Sequence, residues 1–307
     1  MKPSKSKFAG CMIGSAIGDA LGASFEGLWT NELNIEEFSF HGRWTDDTHM
    51  MIGVAESLIA NKGFNGKHMA WTFIKNWEKE PWRGYGPGPP RVFRKIKSGV
   101  PWNEAAGQLY GGMGSYGNGA AMRVAPVGLF YYDDENRLRE VAYKSAEITH
   151  THELGKEGAA IQAYAVALAV KVESESFNPI DFLEKLIEFT RVDAYKEKLE
   201  KAKGLLNNDD KREIIRNLGN SVEALNSVPT AIYCFAKHHQ SYAKAVLYAI
   251  SLGGDTDTIG AMTGAIAGAY HGIEAIPSVW VQKLERRDYI ERLADELWKL
   301  KMGNSSG

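Results

Sequence analysis

The spacing of apolar residues along most of the chain predicts α-helices. Apolar side chains recur at three- and four-residue steps, which places them on one face of a helix with 3.6 residues per turn. The clearest examples are Ile161, Tyr164, Ala165, Leu168 and Val172, followed by Phe182, Leu183, Leu186 and Ile187. Strand-like alternation is scarce, and residues 127–132 form the one run that predicts a short strand. The pattern therefore predicts an all-α fold.

Stretches rich in glycine, proline and asparagine predict the loops. They lie at residues 84–90, 111–119 and 207–210. None of them is long enough to separate two domains, so we predict that residues 1–307 form a single domain. The polar residues 303–307 predict a disordered tail.

Two segments carry glycine at every fourth position, which on a helix leaves a ridge without side chains. The members are Gly10, Gly14, Gly18 and Gly22 near the start, and Gly260, Gly264, Gly268 and Gly272 near the end. Two such helices can approach each other backbone to backbone, although each glycine costs roughly 1 kcal/mol relative to alanine. We interpret the glycines as tight core packing that brings the neighbouring residues together.

The charge balance bears on the partners of the protein. The chain has 36 basic and 38 acidic residues and a formal net charge of -2, without a long block of one sign, so a nucleic-acid partner is disfavoured. The longest charge-free apolar run, residues 258–270, is shorter than the roughly 20 residues that a membrane-spanning helix needs. Two cysteines are too few for a disulfide framework, which predicts a reducing, cytoplasmic setting. No pattern in the sequence predicts an oligomeric state.

Two acidic turns precede helical stretches. Thr45, Asp46, Asp47 and Thr48 come before an apolar helical segment, and the second turn, residues 253–258, comes directly before the second glycine segment. Taken singly, each turn is typical of a helix N-cap, because Asp and Thr oxygens accept hydrogen bonds from the free N–H groups of a first turn. Together they supply four carboxylates and at least three hydroxyls, which is more than two caps need.

The surplus of oxygen ligands predicts a metal centre. Crowded carboxylates repel one another unless a cation offsets their charge, and hard oxygen ligands select magnesium, calcium or manganese over zinc. We therefore predict two divalent cations that share these ligands, with Glu26 as a fifth carboxylate. Such a centre acidifies water and polarises substrate oxygens, so hydrolysis is the predicted reaction.

Other catalytic patterns are weak. The sequence contains neither a GxSxG elbow nor an HExxH zinc helix. Residues His150–Glu153 read H-T-H-E, but no fourth zinc ligand is near them, so we interpret them as polar surface or as substrate contacts.

A glycine-rich stretch at residues 110–119 has two interpretations. Its five glycines expose backbone N–H groups that can cradle phosphate, and Tyr110 and Tyr116 offer ring faces on which a base can stack. The same stretch also fits a flexible loop with two ordinary aromatic residues. No Walker lysine follows it.

At these motifs the sequence resembles the ADP-ribosylglycohydrolase family, whose members are similar to dinitrogenase reductase-activating glycohydrolase. Within the family it is most similar to the branch that removes ADP-ribose from serine and degrades poly(ADP-ribose) and O-acetyl-ADP-ribose. The resemblance extends to near residue 274 and includes GCMIGSAIGDALGASFEG, WTDDTHM, RGYGPGPPRVFRKI, GSYGNGAAMRVAPVGL, SAEITHTHELGKEGA, LGNSVEALNSVPTAIYCF and SLGGDTDTIGAMTGAIAGAYHG. It implies a single orthogonal bundle of helices with a binuclear magnesium or manganese centre at the bottom of an ADP-ribose cleft.

The resemblance also implies roles for particular residues. The implied metal ligands are Thr45, Asp46, Asp47, Asp255, Asp257 and Thr258, with Glu26 as a flexible ligand that caps the centre. The implied substrate contacts are Ser115, Gly117 and Asn118 at the phosphates, Tyr110 and Tyr116 beside the adenosine, and His150 near the ribose and phosphate. Family members usually have phenylalanine at the position of Tyr110, and either ring presents a face for stacking.

The implied reaction is hydrolysis of the glycosidic bond between C1″ of ADP-ribose and an acceptor, with Glu26, Asp46, Asp47 and Asp257 as the catalytic residues. The implied partner is an ADP-ribosylated protein, with serine favoured as the acceptor, or a polymer or small molecule that contains ADP-ribose. Two alternatives stay open. One is a non-catalytic ADP-ribose-binding or crystallin-like protein, and the other is a metal-dependent phosphohydrolase that cleaves the pyrophosphate of a nucleotide.

Overall fold

The computed structural model describes residues 2–26, 40–172 and 177–303, and these residues form helices and no strand, which confirms the all-α prediction. The α-helices are α1 Lys5–Gly22, α2 Asp46–Asn61, α3 Gly66–Lys79, α4 Gly88–Lys97, α5 Ala125–Phe130, α6 Glu135–Glu147, α7 Glu153–Lys171, α8 Pro179–Phe189, α9 Asp193–Gly204, α10 Lys211–Leu218, α11 Ala224–Lys237, α12 Tyr242–Ser251, α13 Thr256–His271, α14 Ser278–Lys283 and α15 Arg287–Gly303. Short 3₁₀ turns form at Ala106–Gln108, Tyr110–Gly112, Asn118–Ala120 and Ile273–Ala275.

Three helices form the centre of the bundle. Every residue of α1 from Phe8 to Gly22 is buried, and so is every residue of α13 from Thr256 to Tyr270. The third helix, α7, is buried from Glu157 to Val170. A helix that is apolar on all sides must be covered on all sides, and the more amphipathic helices pack around these three. Among the described residues, no helix combines the length and the apolar content that crossing a bilayer requires.

The glycine ridges of α1 and α13 face each other in an antiparallel register. The pairs are Gly10 with Gly268, Gly14 with Gly264, Gly18 with Gly260, and Gly22 with Thr256. A Cβ atom added to Gly18 would lie 2.0 Å from the carbonyl oxygen of Gly260, so no side chain fits between the two backbones. The predicted close approach is therefore confirmed. Because the helices are antiparallel, the C-terminal end of α1 meets the N-terminal end of α13.

Two local predictions differ from the structure. The strand predicted at residues 127–132 is wrong, because α5 occupies residues 125–130 and a turn follows it. All residues of α5 are buried, Pro126 fits its first turn, and Gly128 packs against the backbone of Ala163 in α7. A short, fully buried apolar run has no periodicity that separates a strand from a helix. Gly303, predicted as part of the disordered tail, belongs to α15, whereas residues 304–307 lie outside the described residues.

Candidate metal centre and ligand cleft

The two acidic turns open into one cleft, which has a volume of about 270 Å³. Five carboxylate side chains line it, namely those of Glu26, Asp46, Asp47, Asp255 and Asp257. A larger surface hollow of about 610 Å³ lies between Trp77 and Lys97, but its one carboxylate, Glu78, is ion-paired with Lys97. The smaller cleft, with its five carboxylates, is therefore the better candidate for a functional site.

The first acidic turn is held by the side chain of Asp19 in α1. Thr45 is the N-cap of α2, and its hydroxyl accepts a hydrogen bond from the backbone N–H of Asp47 at 3.4 Å. The Asp19 carboxylate accepts hydrogen bonds from the backbone N–H and the hydroxyl of both Thr45 and Thr48, at 2.5–3.1 Å. These bonds fix the start of α2 against the end of α1.

The buried side chain of Arg83 also stabilises the first acidic turn. The Arg83 guanidinium lies 3.7 Å from the ring centroid of Trp44 and donates to the Trp44 carbonyl at 3.1 Å. It also forms ion pairs with Glu80 and Glu285, each at 2.7 Å. Trp44 directly precedes the turn, and Gly84 directly follows Arg83 and lines the cleft. Arg83 therefore fixes both the turn and the adjoining loop.

The second acidic turn is held mostly by backbone atoms. Gly253 and Gly254 both have left-handed φ angles, of 70° and 76°, which let the chain turn sharply into α13. The backbone N–H of Asp255 then donates to the carbonyl of Asn220 at 2.9 Å, and the Thr256 hydroxyl donates to the carbonyl of Gly22 at 2.8 Å. The acidic side chains of this turn are thus placed by the end of α1 and by the loop before α11.

The carboxylates form a set that fits a divalent cation. Glu26, Asp255 and Asp257 each offer a ligand atom, and these atoms lie within 4.8 Å of one another. Asp47 is buried, and its Oδ2 atom has no hydrogen-bond partner. A buried oxygen without a partner is costly, and it is relieved when a cation binds. The acidic group could therefore hold metal.

The raised pKa values of the aspartates in the cleft also support a cation site. The pKa of Asp257 is raised to about 9, first by burial and second by the charge of Asp255. The pKa of Asp46 is raised to about 8, first by burial and second by the charge of Asp19. The pKa of Asp47 is raised first by burial and second by the charge of Asp257, so the carboxylates of the two turns repel one another. Protonation or a bound cation is needed to offset so many buried carboxylates.

The glycine-rich loop forms another wall of the cleft. Ser115, Gly117 and Asn118 line the cleft, as does Tyr110, whose side chain is 47% exposed. The Asn118 amide donates to Oδ2 of Asp255 at 2.5 Å, which connects this wall to the second acidic turn. The loop is therefore part of the site.

His150 lines the cleft beside the same loop. Its Nδ1 atom lies 2.7 Å from the Thr149 hydroxyl, and burial lowers its pKa to about 3, so the ring is neutral. A Cβ atom added to Gly119 would lie 2.7 Å from Cε1 of His150. Glycine is required at position 119 for the loop to lie against this ring.

Two predicted site residues point elsewhere. Within the described residues, the lining of the cleft does not include Thr45 or Tyr116. The Thr45 hydroxyl donates to Asp19, and the Tyr116 ring contacts His152 with the centroids 5.6 Å apart. The roles of both residues stay predictions.

The sequence motifs do not identify all the residues that shape the site. Asp19 has no predicted role, although a lone acid in a ridge of glycine and alanine indicates a specific partner. The loop at residues 84–89 was predicted only as a loop, yet it forms one side of the cleft. Met122, Thr149 and Val222 line the cleft as well.

The fold and the cleft are those of an all-helical enzyme with a carboxylate-rich centre that could hold metal. A family model described as ADP-ribosylglycohydrolase matches residues 1–307, and the chain belongs to this family.

Individual relatives are similar over nearly their whole length. ADP-ribosylhydrolase ARH3 from Gallus gallus is 36% identical, and the comparison covers 97% of this chain and 94% of that protein. ADP-ribosylhydrolase ARH3 from Homo sapiens is 35% identical, again with 97% of this chain and 94% of that protein covered. A solved structure described as an ADP-ribosylglycohydrolase-related protein complex has a TM-score of 0.77 at 28% identity, covering 97% of this chain and 99% of that one.

Proposed function

We propose that the protein is a metal-dependent ADP-ribosylhydrolase that cleaves the glycosidic bond between C1″ of ADP-ribose and an acceptor, with serine on an ADP-ribosylated protein as the preferred acceptor. The observation that supports this proposal most strongly is the meeting of two acidic turns and a glycine-rich loop in one cleft. We also propose that residues 1–307 form one domain.

The proposed cofactor is a pair of divalent cations, Mg²⁺ first and Mn²⁺ as the alternative, because both take hard oxygen ligands. When bound, such ions supply a more acidic water and polarise oxygens of the substrate. The proposed ligands are Glu26, Thr45, Asp46, Asp47, Asp255, Asp257 and Thr258. The unpartnered Oδ2 atom of Asp47 and the grouping of Glu26 with Asp255 and Asp257 support this set.

The loop wall is proposed to bind the ADP part of the substrate. Ser115, Gly117 and Asn118 contact the diphosphate in this proposal, because backbone N–H groups and small polar side chains accommodate phosphate oxygens closely. Tyr110 and Tyr116 lie beside the adenosine, and the neutral ring of His150 contacts the ribose and phosphate. The half-exposed ring of Tyr110 at the edge of the cleft supports this orientation.

Glu26 is proposed to act as the general acid or base of the reaction. It is exposed, whereas Asp47, Asp255 and Asp257 are buried, so it can exchange a proton with solvent. Asp46 and the buried aspartates Asp47 and Asp257 act in this proposal by holding the charged centre and orienting the distal ribose. Glu26 then assists either the attack at C1″ or the departure of the acceptor.

Serine is the preferred acceptor in this proposal because GSYGNG and the later ITH resemble the branch of the family that removes ADP-ribose from serine. Poly(ADP-ribose) and O-acetyl-ADP-ribose are the further substrates that we propose. We also propose a cytoplasmic location, which the free and buried thiols of Cys11 and Cys234 support.

A release assay tests the reaction. Purified protein with Mg²⁺ is incubated with serine-linked, arginine-linked and polymeric ADP-ribose, and the products are identified by mass spectrometry. We expect intact ADP-ribose from the serine-linked substrate and no release after chelation of the metal. AMP as the product would instead indicate cleavage of the diphosphate, and tight binding without any product would indicate a non-catalytic binder.

Two variants test the role of the acidic turns in the same assay. Asp257→Asn is expected to lower turnover by about a thousandfold or more, because it removes a charge that holds the centre. Asp209→Asn is the control, since Asp209 lies on the surface in an ion pair with Lys237. Near-normal activity of Asp257→Asn with Mg²⁺ would refute the proposed metal centre.

A further inference from the structure

Arg123 is a buried cation without a carboxylate partner. Only 1% of its surface is exposed. Its guanidinium donates to the Ser145 carbonyl at 2.9 Å and lies 3.8 Å from the Met50 sulfur, while its Nε atom has no hydrogen-bond partner. Among the described residues, the other two buried arginines, Arg83 and Arg139, each form an ion pair with a glutamate.

The contacts of Arg123 place its charge behind the cleft. Met50 lies four residues after Asp46 in α2, so both side chains are on the same helix face. Ser145 lies in the last turn of α6, and the backbone N–H of His150 donates to its neighbour Ala146 at 2.7 Å. Met122, which precedes Arg123, lines the cleft itself. The guanidinium therefore lies between the first acidic turn and the His150 wall.

The electrostatic effects agree with this position. The pKa of His150 is lowered by burial first and by the charge of Arg123 second. Burial lowers the pKa of Arg123 itself to about 9, and Asp46 is one of the groups that oppose this shift. The charge of Arg123 thus reaches both sides of the cleft.

The cleft needs positive charge if it binds ADP-ribose. Among the described residues, its lining includes five carboxylates but no lysine or arginine, and its one histidine is neutral. The two proposed divalent cations carry four positive charges against these five carboxylates, so they leave none for the negative charges of a diphosphate. The Ser145 carbonyl and the Phe73 ring, whose centroid lies 4.7 Å from the Arg123 guanidinium, compensate the buried charge only in part. Without a carboxylate partner, its place behind this cleft calls for a negative charge in front of it.

We propose that Arg123 is a positioning residue whose fixed charge strengthens the binding of a diphosphate-bearing ligand from behind the cleft wall, without touching that ligand. The inference rests on the proposed function, because it takes ADP-ribose as the ligand. Part of the positive charge that attracts this ligand then comes from Arg123, in addition to the bound cations.

The test compares a charged ligand with a neutral one. Binding of ADP-ribose and of adenosine, which lacks the diphosphate, is measured by calorimetry or ligand-detected NMR with Mn²⁺ present. In Arg123→Gln we expect the affinity for ADP-ribose to fall about tenfold, as for a charge acting at medium range, while the affinity for adenosine changes by less than about threefold.

The outcomes are distinct. Equal weakening of both ligands in Arg123→Gln would mean that the side chain only supports packing, and would overturn the inference. An unchanged affinity for ADP-ribose in Arg123→Gln would overturn it as well. Arg123→Met, which keeps the volume of the side chain, replaces Arg123→Gln if the latter does not fold by circular dichroism. Failure of the wild-type protein to bind ADP-ribose would overturn the proposed function instead.

Discussion

The two acidic turns line the same cleft, but they are held by different kinds of contact. The first, Thr45–Thr48, depends on the side chain of Asp19, which accepts hydrogen bonds from both threonines. The second, residues 253–258, depends on the bond from the Asp255 backbone N–H to the Asn220 carbonyl and on close backbone packing against Gly22 at the end of α1, where the Thr256 hydroxyl adds one bond. A turn held by side chains can be weakened in steps, whereas a turn held by backbone packing leaves no room for an added atom.

The largest effect is expected when a methyl group is added at the contact of the second turn. A Cβ atom in Gly22→Ala would lie 2.2 Å from the Thr256 carbonyl oxygen and 2.5 Å from the Asp257 Cα. We expect a loss of about 3 kcal/mol in the free energy of unfolding, as for overpacking in a core. In the fraction that folds, we also expect nearly complete loss of Mn²⁺ binding by calorimetry.

Gly10→Ala is the matched control for this change. It adds a comparable clash, 2.4 Å from the Gly268 carbonyl oxygen, at the opposite end of the same helix pair. We expect a similar loss of stability in denaturant unfolding but Mn²⁺ affinity close to that of the wild type. Equal loss of Mn²⁺ affinity in both variants would contradict the view that the contact at Gly22 sets the geometry of the second turn.

Asp19→Asn tests the first turn. The amide keeps one acceptor oxygen but replaces the other with a donor that faces N–H and O–H groups, so we expect a loss of about 2 kcal/mol in stability. Mn²⁺ affinity is expected to fall by about tenfold, because the start of α2 is less well fixed. Thr48→Val removes one hydrogen bond and leaves the others, and should cost about 1 kcal/mol. A smaller effect for Asp19→Asn than for Thr48→Val would argue against Asp19 as the anchor.

The pH dependence of stability can separate the two turns. In the metal-free protein the pKa of Asp46 is about 8 and that of Asp257 about 9, both above the ordinary value of 3.8. The folded state therefore holds protons that the unfolded chain releases above about pH 4, so stability should fall as the pH rises from there to about 9.

Thermal unfolding in a chelator across this pH range measures the effect. Asp46→Asn should remove the part of the decline that ends near pH 8, and Asp257→Asn the part that ends near pH 9. Added Mg²⁺ should flatten the decline, since a cation replaces the protons. A metal-free melting temperature that rises from pH 5 to pH 9 in the wild type would contradict the raised pKa values.

The smallest effect is expected from a side chain next to the second turn. The Asn220 amide donates to the Leu252 carbonyl at 3.0 Å, but the contact with Asp255 uses the Asn220 backbone. Asn220→Ala should therefore cost about 1 kcal/mol and leave Mn²⁺ affinity within about threefold of the wild type. A loss of Mn²⁺ affinity as large as that of Asp19→Asn would erase the distinction between the two turns.

The features that the sequence predicts best are those with a strong local pattern. The helical periodicity and the glycine spacing predict the bundle and its central helix pair. The acidic turns at residues 45–48 and 253–258 are recognisable because they contain more carboxylates than helix caps require. The stretch at residues 110–119 is recognisable as a loop because clusters of glycine are typical of loops.

The remainder depends on contacts between distant segments. Asp19 and Arg123 each lie in an apolar stretch, and neither has a neighbour in sequence that explains its charge. Their partners lie in other helices, namely Thr45 and Thr48 for Asp19 and Ser145 for Arg123. The helix at 125–130 was missed for a related reason, because its burial on all sides removes the periodicity that identifies a helix.

The pairing of α1 with α13 also has a consequence for how the protein is made. The hydrogen bond from the Thr256 hydroxyl to the Gly22 carbonyl joins residues that are 234 positions apart. At a translation rate of 5–20 residues per second, the first partner waits roughly 10–50 s for the second to leave the ribosome. During that interval the glycine positions of the N-terminal segment have no packing partner, and a product that stops before residue 256 lacks Asp257 and Thr258 of the second acidic turn.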